Sequence, residues 1–431
     1  MAAGAGRIRR LVAACVATTL ALAGLASCTT SGGPSSEYDQ ADAAFSPEVV
    51  EQLEATLADA LELSGSSGAV AGVWAPWAGE WTTGAGAVDF TDGAAGVTEE
   101  TRFQLAAGTG AVTCLLMLRM VDAGVVELDQ PVSSLVRGIP GLDGITLEQL
   151  CRNTSGIADY YEPLRRYFRD NPERVWPAAE LIASGLASGR TGEPGAAWRR
   201  SDTGIVLLAM ALEQHTGRSW SDLVGQYVLG PLGLDDTGIP SPRRTGYEGA
   251  LGGYAFLTPG GQPNCDARVD VSERSSSIGG AAGGARTTLG DALVLSRAIA
   301  SGSLLEESTA RTAWTPIPLG GDAPGWQAQG IGAREYGPLR GTSGESMGAL
   351  AAMFTDPTTG LTVVVALNNS AGGERMVRET AFALASIAAK AAPVEGRELP
   401  LVELPWSLDQ ARERMAAAAP CPPPEEPASD G

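Results

Sequence analysis

The chain has almost none of the side chains that usually act as bases in enzymes. Its 431 residues include a single histidine, His215, and a single lysine, Lys390, so the other cationic side chains are all arginines. Arginine stays protonated in proteins and is a poor general base. The residues that usually activate a nucleophile are therefore nearly absent from the chain.

Positive charge is scarce as well. The chain carries 30 lysine and arginine residues against 50 aspartate and glutamate residues, which gives a formal net charge of -20. Such a chain is repelled by nucleic acid and by anionic lipid. We therefore expect no nucleic-acid partner.

The apolar stretch near the N-terminus is too short to be an ordinary membrane-spanning helix. It covers residues 11–25 and follows Arg7, Arg9 and Arg10, whereas a spanning helix needs about 20 apolar residues. A positive segment followed by a short apolar one is typical of an export signal. Residues 1–27 are therefore predicted to be a signal peptide.

The end of this stretch, Leu25-Ala26-Ser27-Cys28, resembles the lipobox of bacterial lipoproteins, in which cleavage before the cysteine is coupled to its lipidation. We expect Cys28 to carry a lipid anchor that holds the protein at the outer face of the cell membrane. The alternative is an ordinary signal peptide cut after a small residue. Residues 28–45 are expected to form a flexible tether.

Six cysteines are present, of which Cys15 leaves with the signal peptide and Cys28 is blocked by lipid. The remaining four, which allow three pairings, fit two disulfides in an exported protein. They lack the spacing of a zinc site. We expect neither a metal nor a cofactor. The four candidate disulfide cysteines are Cys114, Cys151, Cys265 and Cys421.

The order of predicted elements is a helix, strands, a long and mostly helical section, then strands and a helix. This order suits a sheet made from both ends of the chain with a helical insertion. Ser46 is a candidate cap for the first helix. Helices are expected at 47–63, 115–121, 178–186, 203–215, 288–300 and 375–391, and strands within 69–90 and 348–368, where the apolar run 363–367 is expected to be a central strand. An irregular excursion is expected at 240–277. Residues 393–431 are expected to form a proline-rich acidic tail that is extended and exposed from Pro420 to Glu426.

Several motifs within 46–390 resemble those of the serine β-lactamase, penicillin-binding protein and D-alanyl-D-alanine carboxypeptidase superfamily, in its class C-like branch. The resemblance implies an α+β fold in residues 46–392, with an antiparallel sheet flanked by helices and a mostly helical lobe. The motifs are Phe103-Gln104-Leu105, Asp129-Gln130-Pro131-Val132, Ile145 to Leu150 followed by Asn153-Thr154-Ser155-Gly156-Ile157, Ala282-Gly283-Gly284, and Asp356-Pro357-Thr358-Thr359-Gly360.

The same resemblance places the wrong residues at every catalytic position. The family's Ser-x-x-Lys, in which serine attacks and lysine assists proton transfer, falls on Ala107 and Gly110. Its Tyr-x-Asn falls on Arg200 and Asp202. Its Lys-Thr-Gly or His-Thr-Gly falls on the tripeptide Thr342-Ser343-Gly344, so the family's chemistry is expected to be lost.

A displaced nucleophile is the catalytic alternative, and it needs a base. Asp202 and Glu345 are candidate bases, since carboxylates can be tuned by burial. His215 and Lys390 are weaker candidates, because His215 is interpreted as a helix-end residue and Lys390 lies in the closing helix. The candidate nucleophiles are Thr109, Ser155, Ser201 and Ser343.

Arginines near the predicted cleft suggest binding without catalysis. Arg200 and Arg340 can meet a carboxylate bidentately, although ion pairs with the chain's many acids are the preferred interpretation. A regular strand would place Arg340 on the same side as Thr342. Ser201 and Ser343 complete the set of binding candidates.

The resemblance also suggests a disulfide pairing. Cys114 and Cys151 lie on the two helices that flank the family's active site, so a bond between them would lock the helical lobe. Cys265 and Cys421 would then pin the acidic tail to the long excursion.

Three functional hypotheses follow. The first is a non-catalytic envelope protein that binds a cell-wall peptide or a protein partner. The second is an active hydrolase of cell-wall peptides, β-lactams or esters, and the third is a structural lipoprotein with a vestigial cleft. A spacious pocket favours the first two, whereas a cleft filled by side chains such as Trp198 favours the third.

Overall fold

The computed structural model describes residues 38–243, 245–246, 249–258 and 262–421. The predicted signal peptide, Cys28 and most of the predicted tether lie outside the described residues. Among the helices of the described part, none is both long and apolar enough to cross a membrane.

The main sheet has eight antiparallel strands in the order β2-β1-β12-β11-β10-β9-β8-β7. Strand β1 pairs with β12, the last strand of the chain, and β2 pairs with β1, as predicted for a sheet made from both chain ends. The strands are β1 (Gly68–Ala75), β2 (Gly79–Gly86), β3 (Phe103–Gln104), β4 (Tyr254–Leu257), β5 (Asn264–Asp270), β6 (Arg286–Thr287), β7 (Ile317–Pro318), β8 (Gln327–Gln329), β9 (Arg334–Tyr336), β10 (Leu339–Ser346), β11 (Ala349–Thr355) and β12 (Thr362–Leu367).

Fourteen α-helices are found in the described residues. They are α1 (Pro47–Ser64), α2 (Gly108–Asp122), α3 (Val132–Leu135), α4 (Leu147–Cys151), α5 (Tyr161–Asp170), α6 (Ala178–Ala187), α7 (Asp202–Thr216), α8 (Trp220–Val224), α9 (Gly230–Leu232), α10 (Gly280–Gly283), α11 (Leu289–Ser301), α12 (Glu307–Ala313), α13 (Gly373–Ala388) and α14 (Leu408–Ala416).

Strand β12 contributes side chains to two hydrophobic cores, one on each face of the main sheet. All six of its residues are buried, and alternate side chains point to opposite faces. Val363 and Val365 pack with α1, α13 and α14, whereas Val364 and Ala366 pack with the helical lobe that includes α2, α7 and α11. The apolar run predicted to be a central strand is therefore buried on both faces.

The cap of α1 differs from the prediction. Ser46 occupies the N-cap position, but its side chain makes no capping hydrogen bond. The helix begins instead with Pro47, whose fixed φ suits the first turn, and it buries Leu53 and Leu57 as the helical spacing predicts.

The predicted tail is part of the folded chain as far as residue 421. Helix α14 packs on α13, and it buries Ala411 and Met415. Trp406 stacks on Phe382 with ring centroids 3.9 Å apart. The tail predicted from residue 393 thus contains one short helix with an apolar face, which its composition concealed. Most of the stretch predicted to be extended and exposed, Pro420 to Glu426, lies outside the described residues.

Two further expectations are corrected. The excursion at 240–277 contains the hairpin of β4 and β5, and Tyr254 of β4 donates its backbone N–H to Asn368 at the end of β12 over 2.8 Å. The end of the predicted tether also contacts the domain, since Ala41 and Phe45 are buried.

Both expected disulfides are present. Cys114 in α2 is bonded to Cys151 at the end of α4, and Cys265 in β5 is bonded to Cys421 beyond α14. The first joins two helices of the helical lobe. The second ties the hairpin to the C-terminal segment.

Candidate functional site

The first turn of α2 carries the two positions at which a nucleophile and its lysine were expected. Ala107 is the N-cap residue of α2. A Cβ added at Gly344 of β10 would lie 2.4 Å from the Ala107 Cβ, so only glycine fits there. A Cβ at Gly110 would meet nothing closer than 3.6 Å. The helix therefore contacts the strand closely, while neither position bears a reactive group.

These positions line one cleft with the other degenerate motifs. Its walls come from α2, the loop before α7, and strands β8 to β10, and its volume is about 50 Å³. This is far below the roughly 300 Å³ at which small-molecule pockets begin. The predicted residues that the cleft brings together are Ala107, Gly110, Arg200, Asp202, Thr342 and Ser343.

A glutamate that was not singled out from the sequence organises the cleft. Glu374 lies in the first turn of α13, where the helix dipole favours a negative charge. It accepts hydrogen bonds from Arg334 Nη1 at 2.6 Å, Ser343 Oγ at 3.1 Å and Arg200 Nη1 at 3.4 Å. No feature of the local sequence distinguishes Glu374 or Arg334 from the chain's other charged residues.

Arg200 joins this carboxylate to a second one. Its Nε and Nη2 atoms each lie 3.3 Å from a carboxylate oxygen of Asp202. The pKa of Arg200 is raised, first by Asp202 and then, against the effect of burial, by Glu374. The preferred interpretation of Arg200 as an ion-pairing residue therefore agrees with the structure.

The charges around Glu374 make its carboxylate a weak base. Burial by itself would raise the pKa of Glu374, but Arg334, Arg200 and Arg378 together with the Ser343 hydroxyl outweigh burial and lower it. A general base works best with a pKa near the operating pH. The contact between Ser343 and Glu374 is therefore poorly suited to activate the hydroxyl.

One carboxyl group beside the network has the opposite shift. The pKa of Asp159 is raised from 3.8 to about 6, first by burial and then by the neighbouring Asp202. Its two oxygens accept the backbone N–H groups of Tyr161 at 2.6 Å and Asp202 at 2.8 Å. Asp159 thus fixes the backbone on which Asp202 lies.

Trp198 contacts two of the residues that line the cleft. Its indole N–H donates to Gln329 Oε1 over 2.9 Å, and the Arg334 guanidinium lies 4.9 Å from the centre of its ring. Because Gln329 and Arg334 line the cleft, Trp198 holds two of its walls together.

All four candidate nucleophiles are buried, and three of them accept hydrogen bonds from backbone N–H groups. Thr109 Oγ1 accepts the N–H of Ala285 at 3.1 Å, and Ser155 Oγ accepts that of Ile157 at 3.3 Å. Ser201 caps α7 by accepting the N–H of Gly204 at 3.2 Å. Ser201 was also a binding candidate, and this assignment is wrong because the cap leaves it no access to the cleft.

The other binding candidate that fails is Arg340. Its guanidinium stacks on Trp314 at 4.5 Å and pairs with Glu335 at 3.2 Å, so it does not line the cleft. The Arg340 side chain leaves β10 on the same side as Thr342, towards the helical lobe. Because this side chain is long, its guanidinium group reaches the end of α12 and not the cleft.

The two residues with ordinary base chemistry are remote from the cleft. His215 lies in the last turn of α7, where its ring Nε2 is 3.0 Å from the Val125 carbonyl oxygen. Lys390 follows α13 and is exposed. Glu345 is half-buried on β10, and its loss of solvation raises its pKa, but it does not line the cleft.

The fold is a β-lactamase-like α+β fold. It has a sheet built from both chain ends, a helical lobe inserted between them and a cleft at the start of α2. The chain belongs to the β-lactamase family, since the family model described as Beta-lactamase matches residues 53–388.

Curated relatives match a shorter segment. Penicillin-binding protein 4* of Bacillus subtilis (strain 168) is 26% identical over 144 residues, which is 33% of this chain and 31% of that protein. The D-alanyl-D-alanine-carboxypeptidase/endopeptidase AmpH of Escherichia coli (strain K12) is 30% identical over 146 residues, or 32% of this chain and 37% of that protein. The match thus spans about a third of each relative's length.

Solved structures extend the likeness over most of the fold. A D-stereospecific amidohydrolase from Streptomyces sp. superimposes with a TM-score of 0.64 and 26% identity, covering 74% of this chain and 93% of that one. The octameric penicillin-binding protein homologue from Pyrococcus abyssi gives a TM-score of 0.66 at 20% identity, covering 81% and 79%. The second likeness concerns the fold alone.

Proposed function

We propose that this protein is a non-catalytic member of the β-lactamase family whose former catalytic cleft is closed by an ion-pair network. The observation that carries the proposal is the arrangement at the cleft. Ala107 and Gly110 stand at the nucleophile and lysine positions, and the cleft beside them is lined by Arg200 and Arg334, which both pair with Glu374.

The size of the cleft favours a vestigial site over a substrate-binding one. About 50 Å³ has room for only a few water molecules, and opening it would separate two arginines from their shared carboxylate. Removing one partner of a buried pair costs roughly 3–5 kcal/mol. We infer that any binding function of this protein uses a surface outside the cleft.

A hydrolase with a displaced nucleophile is the alternative. The contact that favours it is the 3.1 Å hydrogen bond from Ser343 Oγ to Glu374, because Ser343 and Thr342 are the described hydroxyl residues that line the cleft. The lowered pKa of Glu374 opposes it, since a carboxylate held by three guanidinium groups accepts a proton weakly.

Intact-mass analysis after incubation with a fluorophosphonate, and separately with a β-lactam, tests the proposal. We expect no adduct on the folded chain, and none on an Ala107→Ser variant, because the lysine and the space for a substrate are both missing. A stoichiometric adduct that disappears in Ser343→Ala would overturn the proposal in favour of the hydrolase. A serine hydrolase of the same family, treated in parallel, controls for reagent quality.

We further propose that the protein is exported and held at the outer face of the cell membrane by a lipid on Cys28. Support comes from the N-terminal sequence, from two disulfides of a kind that persists in oxidising compartments, and from relatives named as penicillin-binding proteins. The wild type is expected to sediment with membranes, and Cys28→Ala to move to the soluble fraction. Equal distribution of both would exclude the anchor.

A further inference from the structure

A second cavity, much larger than the cleft, lies between helix α5 and the hairpin of β4 and β5. Its volume is about 360 Å³, which falls within the range of about 300–1,000 Å³ typical of small-molecule sites. The cavity shares no lining residue with the closed cleft. It is therefore a candidate binding site that the catalytic motifs do not predict.

One wall of this cavity is basic, in a chain with a net charge of -20. Arg165, Arg166 and Arg169 all line it from α5, and Glu162 is the single acid among the described lining residues. The spacing of Arg165 and Arg169 places both on one side of the helix. The lining thus has a local charge opposite to that of the whole chain.

These guanidinium groups are only partly neutralised. Against the effect of burial, the half-buried Glu345 of β10 is the main charge that raises the pKa of Arg165. Glu162 lies 3.6 Å from Arg165 and is 71% exposed, and Asp170, which pairs with Arg169 at 2.9 Å, is 55% exposed. Exposed pairs of this kind are weak, at about 0–1 kcal/mol. Arg166 stacks on the Tyr167 ring at 4.5 Å. Donor capacity for an incoming anion therefore remains.

Outside α5 the lining is largely apolar and includes Ala255 and Phe256 of β4 together with Met347 and Ala371. Met347 is buried, whereas Phe256 is half-buried. A ligand that fits both walls has an apolar body with an anionic group at one end.

The hairpin wall is held in place covalently. Cys265 of β5 is bonded to Cys421, and β4 is joined to the end of the main sheet through Tyr254 and Asn368. A wall fixed before binding lowers the entropy lost when a ligand is ordered. The second disulfide thus supports a preformed cavity.

We propose that this arginine-lined cavity binds a small amphipathic carboxylate, such as an acylated amino acid. A carboxylate matches the planar guanidinium fork and can accept two parallel hydrogen bonds from it. The acyl or side-chain part packs against Phe256 and Met347. The site does not depend on whether the closed cleft is catalytic, so it stands or falls separately from the proposed function.

Calorimetric titration of the full chain with N-acetylphenylalanine and with its amide, in buffer of physiological salt, tests the proposal. The two probes differ in the negative charge and share the apolar body. We expect one equivalent of the acid to bind, at least about tenfold more tightly than the amide. Equal affinity for the two probes, or no binding of the acid, would show that the arginines do not form an anion site.

Variants locate the binding. Arg165→Gln and Arg169→Gln are each expected to weaken binding of the acid by about three- to tenfold, and Phe256→Ala to weaken it by removing apolar contact. Arg311→Gln is the matched control, because Arg311 is an exposed arginine that pairs with Glu307 outside the cavity. Loss of binding in the control, or unchanged binding in both cavity arginine variants, would place the ligand elsewhere. If the variants fail to fold, the comparison of acid with amide still decides.

Discussion

Glu374 shows how a single buried charge can determine the state of a cleft. It contacts Arg334, Arg200 and Ser343, and Arg378 lies 3.8 Å away. Its side chain is 20% exposed, so solvent screens these contacts only partly. The carboxylate therefore holds α13, β9, β10 and the segment before α7 together.

Replacing this charge tests its structural contribution. Glu374→Gln leaves two guanidinium groups without their shared carboxylate, and we expect the free energy of unfolding to fall by about 2–4 kcal/mol. Glu307→Gln is the control, since Glu307 is 87% exposed and its loss should cost less than about 0.5 kcal/mol. Urea denaturation of both variants measures the difference, and similar losses in the two would contradict this explanation.

The pKa of Asp159 is shifted in the opposite direction to that of Glu374, because its folded-state value of about 6 lies above the ordinary value of 3.8. The folded chain therefore binds this proton more tightly than the unfolded chain does. Between about pH 4 and about pH 6 the folded state holds more protons, so this group's contribution to stability is lost as the pH rises.

The variant Asp159→Asn removes that dependence. We expect the free energy of unfolding of the wild type to decrease, relative to that of the variant, by about 2 kcal/mol between pH 4 and pH 6. Urea denaturation at closely spaced pH values gives both profiles. Taking the difference between them cancels the contributions of Glu374 and Glu345, which are present in both proteins. Parallel profiles would show that Asp159 does not titrate in this window.

At the scale of elements, α14 is the largest departure from expectation. Residues 393–431 have the composition of an exposed acidic tail, yet Trp406 is 6% exposed and Ala411 is fully buried. The helix begins at a capping box formed by Ser407 and Gln410. A capping box followed by two apolar positions four residues apart is a short pattern that average composition hides.

Truncating one buried ring tests whether this helix is part of the fold. Trp406→Ala removes the stack on Phe382 and should lower the free energy of unfolding by about 3 kcal/mol. Leu401→Ala, at a residue that is 80% exposed in the same segment, should change it by less than about 0.5 kcal/mol. Thermal or urea unfolding of the two variants provides the measurement. A small effect of Trp406→Ala would mean that the segment is only loosely attached.

In the helical lobe, by contrast, two helices lie close to the positions predicted from the sequence. Helices were predicted at 178–186 and 203–215, and the structure has α6 at Ala178–Ala187 and α7 at Asp202–Thr216. Helical periodicity and a glycine at the end of α7 carry this information locally. The hairpin of β4 and β5 was missed, because glycine and proline around it indicate turns and do not show which residues pair.

For the whole molecule, the two ends of the chain complete one sheet. Strand β1 pairs with β12 through six residue pairs, Ala69 with Leu367 to Trp74 with Thr362. Because the residues of the helical lobe lie between β1 and β12 in the chain, the sheet is complete only when these two distant segments pair. The two disulfides reinforce the same plan, one within the lobe and one from the hairpin to the C-terminal segment.

The net charge also acts on the whole molecule. At physiological salt the screening length is about 8 Å, so the charge of -20 governs approach from a distance, whereas the three arginines of α5 govern what happens inside their cavity. Long-range repulsion and local attraction of an anion are therefore compatible.

The sequence by itself determined the fold class, the order of the elements and the residues that occupy the former catalytic positions. These features follow from short patterns, namely periodicity, turn residues and motifs, that are carried by consecutive residues. Only the tertiary structure decided that the cleft is small and lined by ion-paired arginines, and that a larger cavity lies between α5 and the hairpin of β4 and β5. Glu374, Arg334 and Arg200 are far apart in the chain, and so are Arg165 and Phe256. Which charges and surfaces meet depends on how the elements pack, and no local pattern encodes it.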